Sequence, residues 1–109
     1  MKAFFINAMG AIDGPDGPIE LHHISELDED QDEILKPEID WDCIRLDDHH
    51  DLWVFDDALF DPETRFARIG NVERVPLPAA VVGFEGERCV DVKLTFKELH
   101  DMIEVMPPT

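Results

Sequence analysis

Cations are almost missing from the first half of this chain. Between residues 13 and 63 only Lys36 and Arg45 are basic, against 19 carboxylates, and this stretch alone carries the formal net charge of −17. The remaining residues balance at seven acids and seven bases. A pI near 4.3 argues against nucleic acid or anionic membrane as direct ligands, because every approach to phosphate is repulsive. Cysteine is scarce too. Cys43 and Cys89 stand single and far apart, which fits neither a disulfide framework nor a cysteine-based zinc site. They favour two reduced thiols in a cytosolic protein, with one bridge between them as the alternative.

Long apolar runs are lacking: none approaches the roughly 18 residues of a membrane span. The opening Met1-Lys2-Ala3-Phe4-Phe5-Ile6-Asn7 has one cation and too short an apolar core for a signal peptide. The expected location is the cytoplasm, that of a bacterial host on the functional reading below. Catalytic motifs are lacking as well. Neither cysteine has a histidine neighbour, no nucleophile elbow occurs, and the glycines from Gly10 to Gly17 sit among acids that would repel phosphate. Carboxylates are so abundant that no single pair is informative for acid–base work. Neither an enzyme nor a cofactor is expected.

What is present suffices for a core. Apolar residues make up 44 % of 109 residues, too many for a disordered acidic tail. One domain, 1–109, is expected, with an acidic surface segment at 13–63 and a charge-neutral scaffold at 64–109. Lys2 to Ala8 reads as a strand, Gly10 to Gly17 as a turn cluster, and Ile19 to Ile24 as a returning strand with Ile19 and Leu21 on one face. Ser25 to Glu33 is either a solvated loop or a short acidic helix capped by Ser25. Ile39, Trp41 and Cys43 alternate with Asp40 and Asp42, the period of a half-buried strand. Leu52-Trp53-Val54-Phe55 is a continuous apolar run suited to a strand covered on both faces. Asp61-Pro62-Glu63-Thr64 reads as a turn, and Arg65 to Ile69 as a short strand.

Ala79 to Phe84 and Cys89 to Leu94 flank Glu85-Gly86-Glu87 as a hairpin. Pro76 and Pro78 mark an irregular connector before it. Thr95 and Glu98 form a capping box. Phe96, Leu99, Ile103 and Met106 follow at helical spacing, with Pro107 and Pro108 ending the helix. The expected architecture is α+β: a small, mostly antiparallel sheet of roughly four to six short strands with an amphipathic C-terminal helix packed on it.

Solubility of a small domain needs a net charge of only about 2 to 8, and the excess stores self-repulsion. It calls for a basic partner. Duplex DNA carries one charge per roughly 1.7 Å of axis, so 17 charges match about eight or nine base pairs. The candidate phosphate substitutes are Asp28, Glu29, Asp30, Asp32, Glu33, Asp40, Asp42, Asp47, Asp48, Asp51, Asp56 and Asp57. Arginine and lysine in a nucleic-acid groove would accept them as they accept phosphate. Of the aromatics in this half, Trp41, Trp53 and Phe60 are expected in the core, with Trp41 the best interface candidate because Asp40 and Asp42 flank it.

In composition and size, residues 13–63 resemble the small acidic DNA-mimic inhibitors of phages and mobile elements, including anti-restriction and anti-CRISPR proteins. They also resemble acidic immunity proteins that neutralise nuclease toxins. The resemblance implies a partner that is a basic nuclease or CRISPR effector, occluded without chemistry. Adaptation to high salt would instead spread acidity over the whole chain, which the balanced second half does not do.

A third reading is a small metal-binding protein using His49 and His50, which sit among Asp47, Asp48 and Asp51. Neighbours on a strand point to opposite faces, so His22-His23 and His49-His50 would each offer one ligand, and no metal site is assigned. Asp28, Asp30 and Asp32 imitate the start of a calcium loop, but Glu33 replaces its glycine and Ile39 its bidentate glutamate. Nearby carboxylates are expected to raise the histidine pKa values and weaken partner binding at mildly acidic pH.

Overall fold

A computed structural model describes residues 1–106, with side chains for all of these except residues 11 and 18–20. Among the described residues there are nine strands: β1 (Lys2–Gly14), β2 (Gly17–Asp28), β3 (Trp41–Arg45), β4 (His50–Phe55), β5 (Phe66–Ile69), β6 (Val72–Pro76), β7 (Ala79–Glu85), β8 (Arg88–Val90) and β9 (Ile103–Val105). Helix is confined to α1 (Gln31–Ile34), a 3-10 turn at Asp56–Phe60, and α2 (Phe96–Asp101). With 53 % of the chain in strands, the fold is largely β, and the α+β expectation is overturned.

The strands form two antiparallel sheets. The larger runs β2-β1-β7-β4-β3, with β8 extending β7, and the smaller runs β6-β5-β9. Alternation along each strand decides what lies between them. Phe4, Ile6, Ile24, Leu52, Val54, Ala79 and Val81 of the large sheet are buried with Ala67, Ile69 and Val75 of the small one, and Leu99 of α2 closes the layer. The opposite face of the large sheet carries Ala3, Ala80 and Val82, buried beneath Ile34 and Leu35. Trp41, Trp53 and Phe5 pack half-buried around them. This second cover explains the unbroken Leu52–Phe55 run: both faces of β4 meet apolar neighbours.

The expected C-terminal helix is cut short and continues as a strand. Its start is as read: Thr95 accepts from the Glu98 N–H, and the Glu98 carboxylate accepts from the Thr95 N–H. The helix stops at Asp101, however, and only Leu99 of its residues is buried. Ile103 and Val105 pair with Ile69 and Ala67 of β5 instead. Glu104 between them accepts from Arg68 at 2.7 Å. β-branched residues lose less rotamer freedom in a strand, and the open edge of β5 offers them backbone partners. Pro107 and Pro108, expected to end the helix, lie outside the described residues.

Three other expectations change. Of the irregular connector expected at Pro76 and Pro78, only Leu77-Pro78 lies outside the strands; Pro76 ends β6 opposite Phe66, on an edge where its missing N–H costs little. The 10–17 turn cluster is mostly strand. Gly14 pairs with Gly17 across Pro15-Asp16, and Gly17 at φ 120° takes the conformation that side-chain residues avoid. The helix at 31–34 has Asp30 at its N-cap position, with no side-chain capping hydrogen bond, and Ser25 lies in β2. The expected sharing of a face by Ile19 and Leu21 lies outside the described side chains.

Candidate partner-binding surface

The acidic segment takes a defined path over the large sheet. It leaves β2 at one edge, crosses the outer face through α1, and enters β3 at the opposite edge. Ile34 and Leu35 are buried against that face, which leaves Asp30, Asp32 and Glu33 exposed above it. The start of this band is anchored by the Met1 amino group, which donates to the Glu29 carbonyl at 2.9 Å and lies 3.6 Å from the Asp28 carboxylate.

At the far edge the chain gathers more carboxylates. The Asp56 N–H donates to the Asp40 carbonyl at 3.0 Å, bringing the 3-10 turn beside the start of β3. Asp40, Asp42, Asp56 and Asp57 are all exposed here. A groove of about 700 Å³ opens alongside, with Phe55, Ile39 and Ala58 in its walls and Glu38, Asp40, Asp57, Asp61 and Glu63 around it. Arg65 also lines it. Glu38, Asp61 and Glu63 were not among the residues predicted from sequence; the turn reading of 61–64 could have flagged the last two.

Asp42 and Asp56 pay for their closeness. A hydrogen bond to Asp42, reinforced by that group's charge, raises the Asp56 pKa above the ordinary value of 3.8. A carboxyl whose folded pKa is raised favours the fold only while protonated, and that contribution is lost as pH rises through the folded pKa. At neutral pH repulsion remains. Asp56→Asn is therefore expected to melt higher than the parent at pH 7, with the difference shrinking below pH 3.8. Thermal melts at the two pH values check this, and a variant that melts lower at neutral pH would refute it.

The other end of the β3–β4 hairpin is built differently. Asp51, opposite Arg45, lies about 10 Å along the strands from Asp42, and Asp47 and Asp48 follow in the turn beyond Arg45. Asp51 is buried, and its carboxylate accepts from Arg45 Nε at 2.9 Å across the register pair Arg45–Asp51. It is not an outward phosphate substitute. Asp47 accepts from the His49 N–H at 2.8 Å and from His50 Nδ1 at 2.9 Å. Burial pushes its pKa up, but these hydrogen bonds outweigh it and hold the carboxyl below the usual range. Asp48 is exposed.

The aromatic expectations are partly reversed. Trp41 is half-buried, donates from Nε1 to the Lys36 carbonyl at 3.0 Å, and stacks near Phe55 at 5.0 Å. Its role is to pin the crossover to the sheet. Phe60, expected in the core, is 86 % exposed, and Leu59 beside it is 59 % exposed. At helical spacing Phe60 meets only Asp56, Asp57, Glu63 and Thr64, and at strand spacing only Ala58 and Pro62, with no large apolar partner, and that was the missed signal.

The histidine readings also change. Both ring nitrogens of His50 are committed: Nδ1 to Asp47, and Nε2 accepting from the Lys93 N–H at 3.0 Å. That removes His50 as a metal ligand. Among the described residues no group of three His, Cys, Asp or Glu side chains is arranged to hold a metal ion. The histidines that do meet are His22 of β2 and His100 of α2, ring centroids 5.1 Å apart. Burial first, then the charge of His100, lowers the His22 pKa, contrary to the expected rise.

A histidine with a lowered folded pKa contributes stability that is complete above the unfolded value of 6.5 and fades as pH falls through the folded value. The parent is expected to lose more stability than His22→Phe between about pH 7.5 and about pH 5.5. Urea titrations at both pH values test this; parallel losses would overturn it.

Neither thiol is an activated nucleophile. Burial, then Asp51, pushes the Cys43 thiol up to about 11, and the same two causes raise Cys89. No helix of the described residues is long and apolar enough to cross a membrane. No protein-family model, curated protein or solved structure matches the chain.

Proposed function

We propose that this chain is an acidic inhibitor that occupies the nucleic-acid-binding surface of a basic partner, in the manner of a DNA mimic. The partner class is a nuclease or CRISPR effector, and the setting is anti-defence by a phage or mobile element in the bacterial cytoplasm. The observation that carries this reading is the band of exposed carboxylates from Asp28 to Glu33 across the sheet to Asp40, Asp42, Asp56 and Asp57. The turn brings Asp56 close enough to Asp42 for its pKa to be raised, which concentrates carboxylates at this point of the band.

The mechanism is competition. Carboxylates held on a folded frame pair with the arginines and lysines that would otherwise hold phosphate, and the field speeds the encounter. The test is a pull-down from host lysate with bound proteins identified, repeated with added duplex DNA. Captured partner is expected to fall steeply between about 50 and about 200 mM salt and to be displaced by the duplex. Retention of partner and duplex together, insensitive to salt, would sink the proposal.

A second reading is an immunity-type inhibitor that binds beside a nuclease active site, and the exposure of Phe60 and Leu59 favours it. Such an inhibitor would tolerate DNA on its target and depend chiefly on those apolar side chains.

A further inference from the structure

We infer that Phe60 is a stacking platform for arginine, so that the acidic surface selects arginine-bearing over lysine-bearing partner segments. The inference rests on reading this face as the docking surface of a basic protein, and adds to it the chemistry of the partner's side chains.

The chain itself displays the pairing. The guanidinium of Arg45 lies over the Phe84 ring at 3.8 Å, and that of Arg74 over the Phe66 ring at 4.0 Å. Phe66 and Phe84 are each half-buried under an arginine of the same molecule. Phe60 stands 86 % exposed on the turn that follows β4. The turn is held in shape by Thr64, whose hydroxyl donates to the Ala58 carbonyl at 2.6 Å, and by the Asp61 N–H bonded to the same oxygen. The ring is therefore presented by an ordered frame.

Its neighbours along the chain carry the charge a guanidinium needs. Asp57, Asp61 and Glu63 border the adjoining groove, and Asp56 precedes them on the same turn. Arginine presents a flat cation that stacks on an aromatic face while its fork bonds carboxylates at the edge. The lysine ammonium is a compact, strongly hydrated charge that pairs with the carboxylates but gains less from the ring. An apolar partner surface would have to desolvate those carboxylates without compensation, which argues against it as the occupant.

The test titrates the intact protein with capped hexa-arginine and capped hexa-lysine at low salt, followed by NMR. The arginine peptide is expected to bind more tightly, to shift amides around 56–63, and to show upfield movement of its side-chain methylene signals from ring stacking. Phe60→Ala and Phe60→Leu should each weaken the arginine peptide roughly two- to fivefold and remove the upfield shifts, with little change for the lysine peptide. Phe60→Trp should preserve or strengthen the preference. Equal binding of both peptides by the parent, or a preference that survives Phe60→Leu, overturns the platform and leaves the phosphate-substitute reading standing. Binding of neither peptide overturns both.

Discussion

Leu52→Ala is expected to cost about 2–5 kcal/mol of folding stability. Leu52 has no exposed surface and sits in the middle strand pairs, opposite Ile44 of β3 and Val81 of β7. Its side chain fills the layer between the sheets with Val54, Ile69 and Val75. The two sheets are held apart by the remaining core residues, so the hole cannot readily collapse, and the cavity term adds to the lost transfer energy. A domain of this size has only about 5–15 kcal/mol in total, so the variant would stand near the threshold of folding at 37 °C. Urea unfolding measures the loss. A cost under about 1 kcal/mol would mean that β4 is not packed between two sheets.

His50→Ala is the second large effect, at roughly 2–4 kcal/mol. The ring is 4 % exposed and joins two parts of the chain that share no strand pairing. Its Nδ1–H donates to Asp47 in the β3–β4 turn, and its Nε2 accepts from Lys93 in the connection after β8. Only the neutral ring with the proton on Nδ1 can do both. Removing it deletes two hydrogen bonds worth about 1 kcal/mol each and opens a hole beneath the turn. Because Asp47 is held below its ordinary pKa, its contribution is complete at neutral pH and lost only as pH falls through that depressed value. Nitrogen NMR of His50 reports the tautomer directly, and a protonated Nε2 at neutral pH would contradict this account.

Some of the fold was legible in the residues and some could not have been. The β7–β8 turn, the buried strand at 52–55 and the Thr95–Glu98 cap depend on local chemistry and lie where their residues suggested, but β8, expected over Cys89 to Leu94, runs only Arg88–Val90. β9 has only three residues, and Ile103 and Val105 satisfy a helical stripe as readily as a strand. What decides between them is the unpaired edge of β5, which is far away in sequence. The acidic surface was legible as composition, because solvated carboxylates are mostly left outside by default. Asp51 could not be told from Asp47 or Asp48 by its neighbours. Its burial follows from standing between Arg45 of β3 and Val82 of β7, a fact about strand register.

β3 ends the large sheet with no strand on its outer side among the described residues. A bare row of backbone donors and acceptors is a template for pairing with another copy of itself. Asp42 within this strand and Asp40 just before it place like charges on any two such edges brought together, and the whole molecule repels its double. That protection is protonatable. As pH falls toward the pI near 4.3, the guard is neutralised while the edge persists, and light scattering should then report edge-to-edge assemblies that are missing at neutral pH.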